Sequence, residues 1–71
     1  MISSKKIAKI PLTSFTADQV AEILGVSTPT VYNYTKRGVR VTNDLYIKLE
    51  RNDTTRISKT ALIKFRDQID A

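Results

Sequence analysis

The 71-residue sequence contains no cysteine and no histidine. Their absence excludes disulfide bridges, zinc ribbons, thiol nucleophiles and histidine general bases together. A fold without disulfides is compatible with a reducing compartment, and we expect a cytoplasmic protein. We also expect no metal and no other cofactor.

Long apolar runs are missing as well. No segment approaches the roughly 20 consecutive apolar residues that a membrane-spanning helix needs. The N-terminal lysines are not followed by the apolar stretch of a signal peptide. Near the C-terminus, the last predicted helix mixes Lys64 and Arg66 with Asp67 and Asp70, so no broad apolar face is available for a membrane surface. We therefore expect no membrane association.

Acidic residues are few relative to basic ones. Seven Asp and Glu oppose twelve Lys and Arg, which gives a net charge of +5. A polyanion, either nucleic acid or an anionic surface, is the expected partner of so basic a chain. An enzyme is disfavoured, because the aspartates are scattered and a tyrosine nucleophile, Tyr32 or Tyr34 beside Arg37 and Arg40, would lack a histidine.

One small domain is expected from the length and from the 41% of hydrophobic residues. Residues 1–14 are predicted to form a basic arm, because Lys5, Lys6 and Lys9 lie there and Pro11 interrupts any regular pattern. Two interpretations of the arm stay open: a solvated tail, which we favour, or a segment that lies along a nucleic-acid backbone or in a groove. Residues 15–71 are predicted to form the folded domain.

The first predicted helix of this domain begins after Phe15. Thr16 is placed to cap the helix, Gln19 completes a capping box, and Phe15 and Val20 form a hydrophobic staple. Gly25 ends the helix, because glycine adopts a positive φ at little steric cost. The apolar stripe at helical spacing consists of Ala17, Val20, Ala21, Ile23 and Leu24.

A second helix is predicted from about Thr30 to Arg37. Its N-cap is Ser27 or Thr28, and Pro29 falls in the first turn, where a missing N–H is harmless. Gly38 ends this helix. Only a short turn therefore separates the two predicted helices.

Two helices joined by so short a turn must cross steeply and closely. Ala21 is the small residue at the crossing, Val26 fills the corner, and Val31 and Tyr34 are the side chains that the second helix buries. This pattern predicts a helix-turn-helix. The alternative is an αα-corner without a role in DNA binding.

Beyond the second helix the hydrophobic period becomes that of a strand. Leu45, Ile47 and Leu49 alternate with more polar residues, which predicts a half-buried strand. Turn-forming residues follow at 51–54, and a short returning strand is predicted at 55–57. The sequence therefore predicts a β-hairpin.

The register of this hairpin follows from its side chains. A three-residue turn sets Leu49 opposite Ile57 and Glu50 opposite Arg56, which keeps the apolar face whole and pairs opposite charges. A two-residue turn would expose Ile57. We therefore predict the three-residue turn, at residues 52–54.

A final helix is predicted from Lys59 to about Asp70. Ser58 is its cap, and Leu62, Phe65 and Ile69 form its core stripe. The expected fold is thus mainly α with a small β-hairpin, in the order helix, helix, hairpin, helix. That order is typical of a winged helix-turn-helix.

Charge is unevenly distributed along this predicted fold. Asp18 and Glu22 lie on the first helix, whereas the segment from Lys36 to Arg66 carries nine basic residues against three acids. Such segregation favours a surface that faces DNA over a plain αα-corner.

The run GVSTPTVYNY, from Gly25 to Tyr34, resembles the pattern G-V-S-x-x-T-(V/L)-x-x-(W/Y) of the winged-helix domains of the MerR superfamily, especially the small excisionases. Arg56-Ile57-Ser58, followed by Leu62 and Phe65, resembles the closing strand and helix of that family. The resemblance covers about residues 15–69. The segment at residues 39–44 is longer than the family pattern, and no effector domain follows, so we expect no small-molecule effector.

The resemblance implies a sequence-specific protein that binds double-stranded DNA. The expected role is that of an excisionase, or recombination directionality factor, of a phage or mobile element, which bends DNA near an attachment site and assists an integrase. A small transcription regulator of such an element is the alternative, and a protein-interaction module is a second one. Because a single domain of this size contacts little DNA, we also expect cooperative self-association on DNA.

The second helix is expected to enter the major groove. Asn33 is placed to read an adenine edge, and the Thr28 or Thr30 methyl group to touch a thymine methyl. Tyr32 either binds a phosphate or packs beside the hairpin, while Ser27 and the first amides of the helix are placed to hold a phosphate. The candidate DNA-binding residues of this helix are Ser27, Thr28, Thr30, Tyr32, Asn33, Lys36 and Arg37.

The hairpin is expected to act as a wing. Its candidate DNA-binding residues, with the strand that leads into it, are Arg40, Lys48, Arg51 and Arg56. Arg51 is predicted at the tip, where an arginine can enter a narrow minor groove. Arg56 either contacts DNA or only pairs with Glu50.

Overall fold

The computed structural model describes residues 3–51 and 56–70. Over these ranges the strands form two antiparallel pairs, β1 with β4 and β2 with β3. The elements in chain order are α1 (Ser4–Lys9), β1 (Ser14–Phe15), α2 (Ala17–Leu24), α3 (Thr28–Lys36), β2 (Val39–Arg40), β3 (Tyr46–Ile47), β4 (Ile57–Ser58) and α4 (Lys59–Asp70). The predicted fold class, a mainly α helix-turn-helix with a β wing, is confirmed.

α2 begins at the residues that the capping pattern predicts. The Thr16 hydroxyl accepts the backbone N–H of Gln19 at 3.3 Å, and Gln19 Oε1 accepts the backbone N–H of Thr16 at 2.9 Å. Phe15 and Val20, the two predicted staple residues, are both buried. This helix start is therefore determined by residues within one turn of it.

The core is one cluster of apolar side chains to which α1, α2, α3, α4 and the β1–β4 pair all contribute. The Tyr34 ring on α3 lies against the Phe65 ring on α4, with 5.7 Å between the ring centroids. α3 and α4 thus pack together directly. The largest side chains that are less than 2% exposed are Phe15, Phe65, Ile7, Leu49, Ile57, Leu62, Val20 and Val31.

The N-terminal segment contains a helix where the sequence predicts an arm. Ile7 of α1 is 0% exposed, and α1 packs against α4. The Lys59 ammonium donates hydrogen bonds to the carbonyls of Ala8 and Ile10, at the C-terminal end of α1, where helix carbonyls lack intrahelical partners. The interpretation of this segment as a solvated tail is therefore wrong for residues 4–9, because burial of Ile7 docks the helix.

The wing differs from the predicted hairpin. It consists of β2 and β3 with a loop at residues 41–45, and its register sets Val39 opposite Ile47 and Arg40 opposite Tyr46. The strand that contains Ile47, which is predicted as the first strand of the hairpin, is therefore the second strand of the wing. Leu45, predicted to face the core, is 51% exposed at the end of the loop.

β4 pairs with β1 and does not pair with the wing. Ile57 lies opposite Phe15, so the predicted pairing of Ile57 with Leu49 is wrong. Both Leu49 and Ile57 are 1% exposed, so the prediction that they face the core is confirmed. The predicted turn at residues 52–54 and the start of the returning strand lie outside the described residues.

α4 spans the predicted residues, Lys59–Asp70. The Ser58 hydroxyl accepts the backbone N–H of Ala61 at 3.1 Å, which confirms Ser58 as the cap. Leu62 and Phe65 are buried, and Ile69 packs against the core at its edge. The helical period alone was therefore enough to find this element.

Candidate nucleic-acid interface

α2 and α3 meet in a tight corner. Gly25 adopts φ 71°, in the left-handed region that favours glycine. The backbone N–H of Gly25 bonds to the carbonyl of Glu22 at 3.3 Å, and that of Val26 to the carbonyl of Ala21 at 3.0 Å. These bonds close the C-terminal end of α2 and turn the chain directly into α3. The predicted corner is confirmed.

α3 has one buried face and one exposed face. Val31 is 0% exposed, and Tyr34 is half-buried against the core. Tyr32, Asn33 and Lys36 lie on the opposite face and are exposed. The chain therefore presents an amide, a phenol and an ammonium group together on the outer face of α3.

The hydroxyls in the first turn of α3 have partners within the chain. Thr28 Oγ1 donates to Asp18 Oδ1 on α2 at 2.9 Å. Thr30 Oγ1 and Ser27 Oγ lie 2.8 Å apart and share a hydrogen bond, and the Ser27 side chain does not cap the helix backbone. Thr28 and Thr30 are also half-buried. The hydroxyls of these three residues are thus less available to a ligand than the exposed polar groups of Tyr32, Asn33 and Lys36.

The wing is anchored to the C-terminal end of α3. Gly38 adopts φ 81°, and a Cβ added there would lie 2.7 Å from the carbonyl oxygen of Ile47. The backbone N–H of Leu49 donates to the carbonyl of Tyr34 at 3.0 Å, which satisfies one of the carbonyls left open at the helix end. Only glycine permits this close approach of β3 to the end of α3.

Four of the predicted cations gather around this junction. Lys36 and Arg37 are exposed at the end of α3, and Arg40 is exposed on β2. Lys48 is exposed too, and its side chain passes beside Gly38, since its Cγ would lie 3.2 Å from a Cβ placed there. We call Lys36, Arg37, Arg40 and Lys48 the junction cations. Such a cluster suits the phosphates that border a groove.

Arg51 and Arg56 lie outside the wing. Arg56 donates from Nε to the Ser14 hydroxyl at 2.9 Å and from a terminal nitrogen to the Ser14 carbonyl at 3.3 Å. The predicted alternative that Arg56 pairs with Glu50 is therefore wrong. Arg51 is exposed beyond β3, and its predicted place at the wing tip is wrong, because the loop that joins β2 to β3 is formed by residues 41–45.

Two elements with exposed polar side chains, the wing loop and α1, are not among those predicted from the sequence. The wing loop carries an Asn-Asp pair at 43 and 44, which is as good a turn signal as the pair at 52 and 53. The Arg40 guanidinium donates to Asn43 Oδ1 at 2.8 Å across this loop. α1 was detectable from Ile7 and Ile10 at helical spacing with Pro11 directly after them, and its three lysines are exposed.

Residues 3–51 and 56–70 contain neither a metal-binding cluster nor a membrane-spanning helix. No group of three or more acidic, histidine or cysteine side chains is arranged to hold a metal ion in this part of the chain. No helix there combines the length and the apolar character needed to cross a bilayer.

Residues 14–69 match the sequence profile of a family described as helix-turn-helix domain. The matched span runs from β1 to the last turn of α4, so it covers the corner, the wing and the closing helix. No curated protein and no solved structure matches the chain significantly.

Proposed function

The chain belongs to the helix-turn-helix domain family, a family of DNA-binding domains, and we propose that it is an excisionase of a phage or mobile element. In this proposal it binds specific duplex sites near an attachment sequence, bends them, and so directs an integrase toward excision. It binds as several copies, because one domain of this size covers little DNA. The resemblance of the Gly25–Tyr34 run to the excisionases supports this role.

The exposed face of α3 is the observation that carries the DNA-reading part of the proposal. Val31 and Tyr34 fix α3 on the core, so Asn33 and Tyr32 are held outward on a rigid helix. An asparagine amide can bond an adenine edge with two hydrogen bonds in the major groove. We assign base reading to Asn33, and a phosphate or base contact to Tyr32.

The junction cations supply the phosphate contacts of the proposal. They border α3 on the side of the wing, so that α3 in the major groove brings them toward the flanking backbone. Arg40 and the wing loop then extend toward the adjacent minor groove. Thr28 and Thr30 contribute through their methyl groups and Ser27 through backbone groups, since the three hydroxyls have partners within the chain.

The base-reading assignment is tested by selecting bound sequences from a random duplex pool. Asn33→Ala is expected to relax one position of the selected motif, with a loss of about 1–3 kcal/mol of discrimination there. Gln68→Ala removes an exposed amide from α4 and is the matched control, for which an unchanged motif is expected. An identical motif for wild type and Asn33→Ala would remove Asn33 from the base-reading set.

The phosphate assignment is tested by the salt dependence of the affinity. Lys36→Ala is expected to reduce the slope of log affinity against log salt by about 0.9, since one phosphate contact is lost. A wild-type affinity that does not change with salt would instead support a protein-interaction module and contradict DNA binding.

The role in recombination is tested separately from DNA binding. An excisionase is expected to bend a fragment with tandem sites, and deletion of its gene is expected to abolish excision. A deletion that changes only the activity of a promoter would favour the alternative, a small transcription regulator, which uses the same DNA-binding surface.

A further inference from the structure

A hydrogen bond joins the first turns of α2 and α3. Thr28 Oγ1, in the first turn of α3, donates to Asp18 Oδ1, in the first turn of α2, at 2.9 Å and across ten residues of sequence. Asp18 is exposed, and Thr28 is half-buried. The bond therefore links the start of α2 to the residue at which α3 begins.

Neither helix depends on this bond to form. α2 starts through the capping box of Thr16 and Gln19, and the corner is closed by the backbone bonds at Gly25. Val31 anchors α3 through apolar burial. The Asp18–Thr28 bond is a further link, which ties the first turn of α3 to the first turn of α2.

We propose that Asp18 is a positioning residue for DNA recognition: through Thr28 it fixes the orientation of the first turns of α3, and so fixes which bases meet Asn33. The inference rests on the proposed function, since it concerns the selectivity of α3 in the major groove. A base-reading side chain must be held within fractions of an ångström of its partner, so a modest gain in freedom lowers discrimination more than total affinity.

The experiment compares affinity for the selected duplex site with affinity for random duplex DNA. Asp18→Ala and Thr28→Val each remove the bond, and each is expected to lower the ratio of the two affinities about fivefold, as expected for the loss of one exposed hydrogen bond. Asp18→Asn retains an acceptor for the Thr28 hydroxyl and is expected to keep the wild-type ratio. The double variant Asp18→Ala/Thr28→Val is expected to lose no more than either single variant, because both remove the same bond.

Glu22→Gln is the control for charge. Glu22 is exposed one turn further along α2, so this variant removes one negative charge close to Asp18 without touching the bond. It is expected to raise affinity for both DNAs alike and to leave their ratio unchanged. Circular dichroism checks that every variant is folded. If Asp18→Ala does not fold, the affinity ratio of Thr28→Val alone tests the proposal.

The possible failures are distinguishable. A wild-type ratio in Thr28→Val, or an equal loss of ratio in Glu22→Gln, would overturn the positioning role while DNA binding stands. Wild-type protein that binds no duplex DNA would overturn the proposed function, and this inference with it.

Discussion

The corner and the wing are neighbours in the chain, yet different contacts build them. The corner depends on residues that are close in the sequence, and the wing depends on the pairing of two short strands. In the corner, from Thr16 to Val31, the capping box, the left-handed glycine and the buried valine are found at the predicted residues, although α3 begins at Thr28 and its Ser27 cap makes no side-chain hydrogen bond. In the wing, the inward side chains Ile47 and Leu49 are as predicted, but the strand partners are not. Contacts between residues that are close in the sequence can therefore be predicted from it, whereas the pairing of separate strands cannot.

The reason lies in the range of the interactions. The corner is made by caps, turns and helical periods, which connect residues at most a few positions apart. The strands of the wing are two residues long, so strand propensity contributes little to their choice of partner. Their pairing is set by where the end of α3 and the face of α4 leave space.

The largest difference in stability is expected between substitutions of two glycines: Gly38, where the wing meets α3, and Gly25, in the corner. Gly38→Ala combines a strained positive φ with a collision against the Ile47 carbonyl, so we expect a loss of about 3 kcal/mol in the free energy of unfolding. Gly25→Ala meets open space and should lose only about 1–2 kcal/mol from the backbone conformation. Urea denaturation of both variants measures the difference, and equal losses would contradict the close approach of β3 to α3.

An intermediate effect is expected at the start of the corner. Thr16→Ala removes the capping hydroxyl of α2, and we expect a loss of about 1 kcal/mol in the free energy of unfolding. Thr60→Ala, at an exposed position of α4, is the matched control and should change stability little. A thermal or urea titration compares the two, and a Thr16→Ala protein as stable as Thr60→Ala would show that the corner does not depend on its cap.

The smallest effect on stability is expected in the wing loop. Arg40→Ala removes an exposed hydrogen bond to Asn43, so the free energy of unfolding should change by less than about 0.5 kcal/mol. Its salt-dependent DNA affinity should nevertheless weaken, with a slope reduced by about 0.9. Asn43→Ala breaks the same bond and keeps the charge, so it should retain the wild-type slope. Equal slopes for both variants would remove Arg40 from the phosphate contacts.

The candidate site shows the same difference between features within one helix and contacts between elements. The helical period was enough to place Asn33 and Lys36 outward on α3. The same period did not reveal that the Thr28 hydroxyl is bound to Asp18, because that contact crosses between helices. Arg56 was assigned to the wing for a similar reason: its strand pairs with β1, far away in sequence.

The sequence by itself determined the starts of α2 and α4, the glycine corner, most of the inward side chains and the excess of basic charge, because each depends on residue type and short-range spacing. Only the tertiary structure decided which of two Asn-Asp turns closes the wing, which strand partners Ile57, and that α1 docks on α4. These choices depend on burial of Ile7, Leu49 and Ile57 in one shared core. A single sequence shows that such side chains are apolar, but their partners are fixed only when the helices have packed.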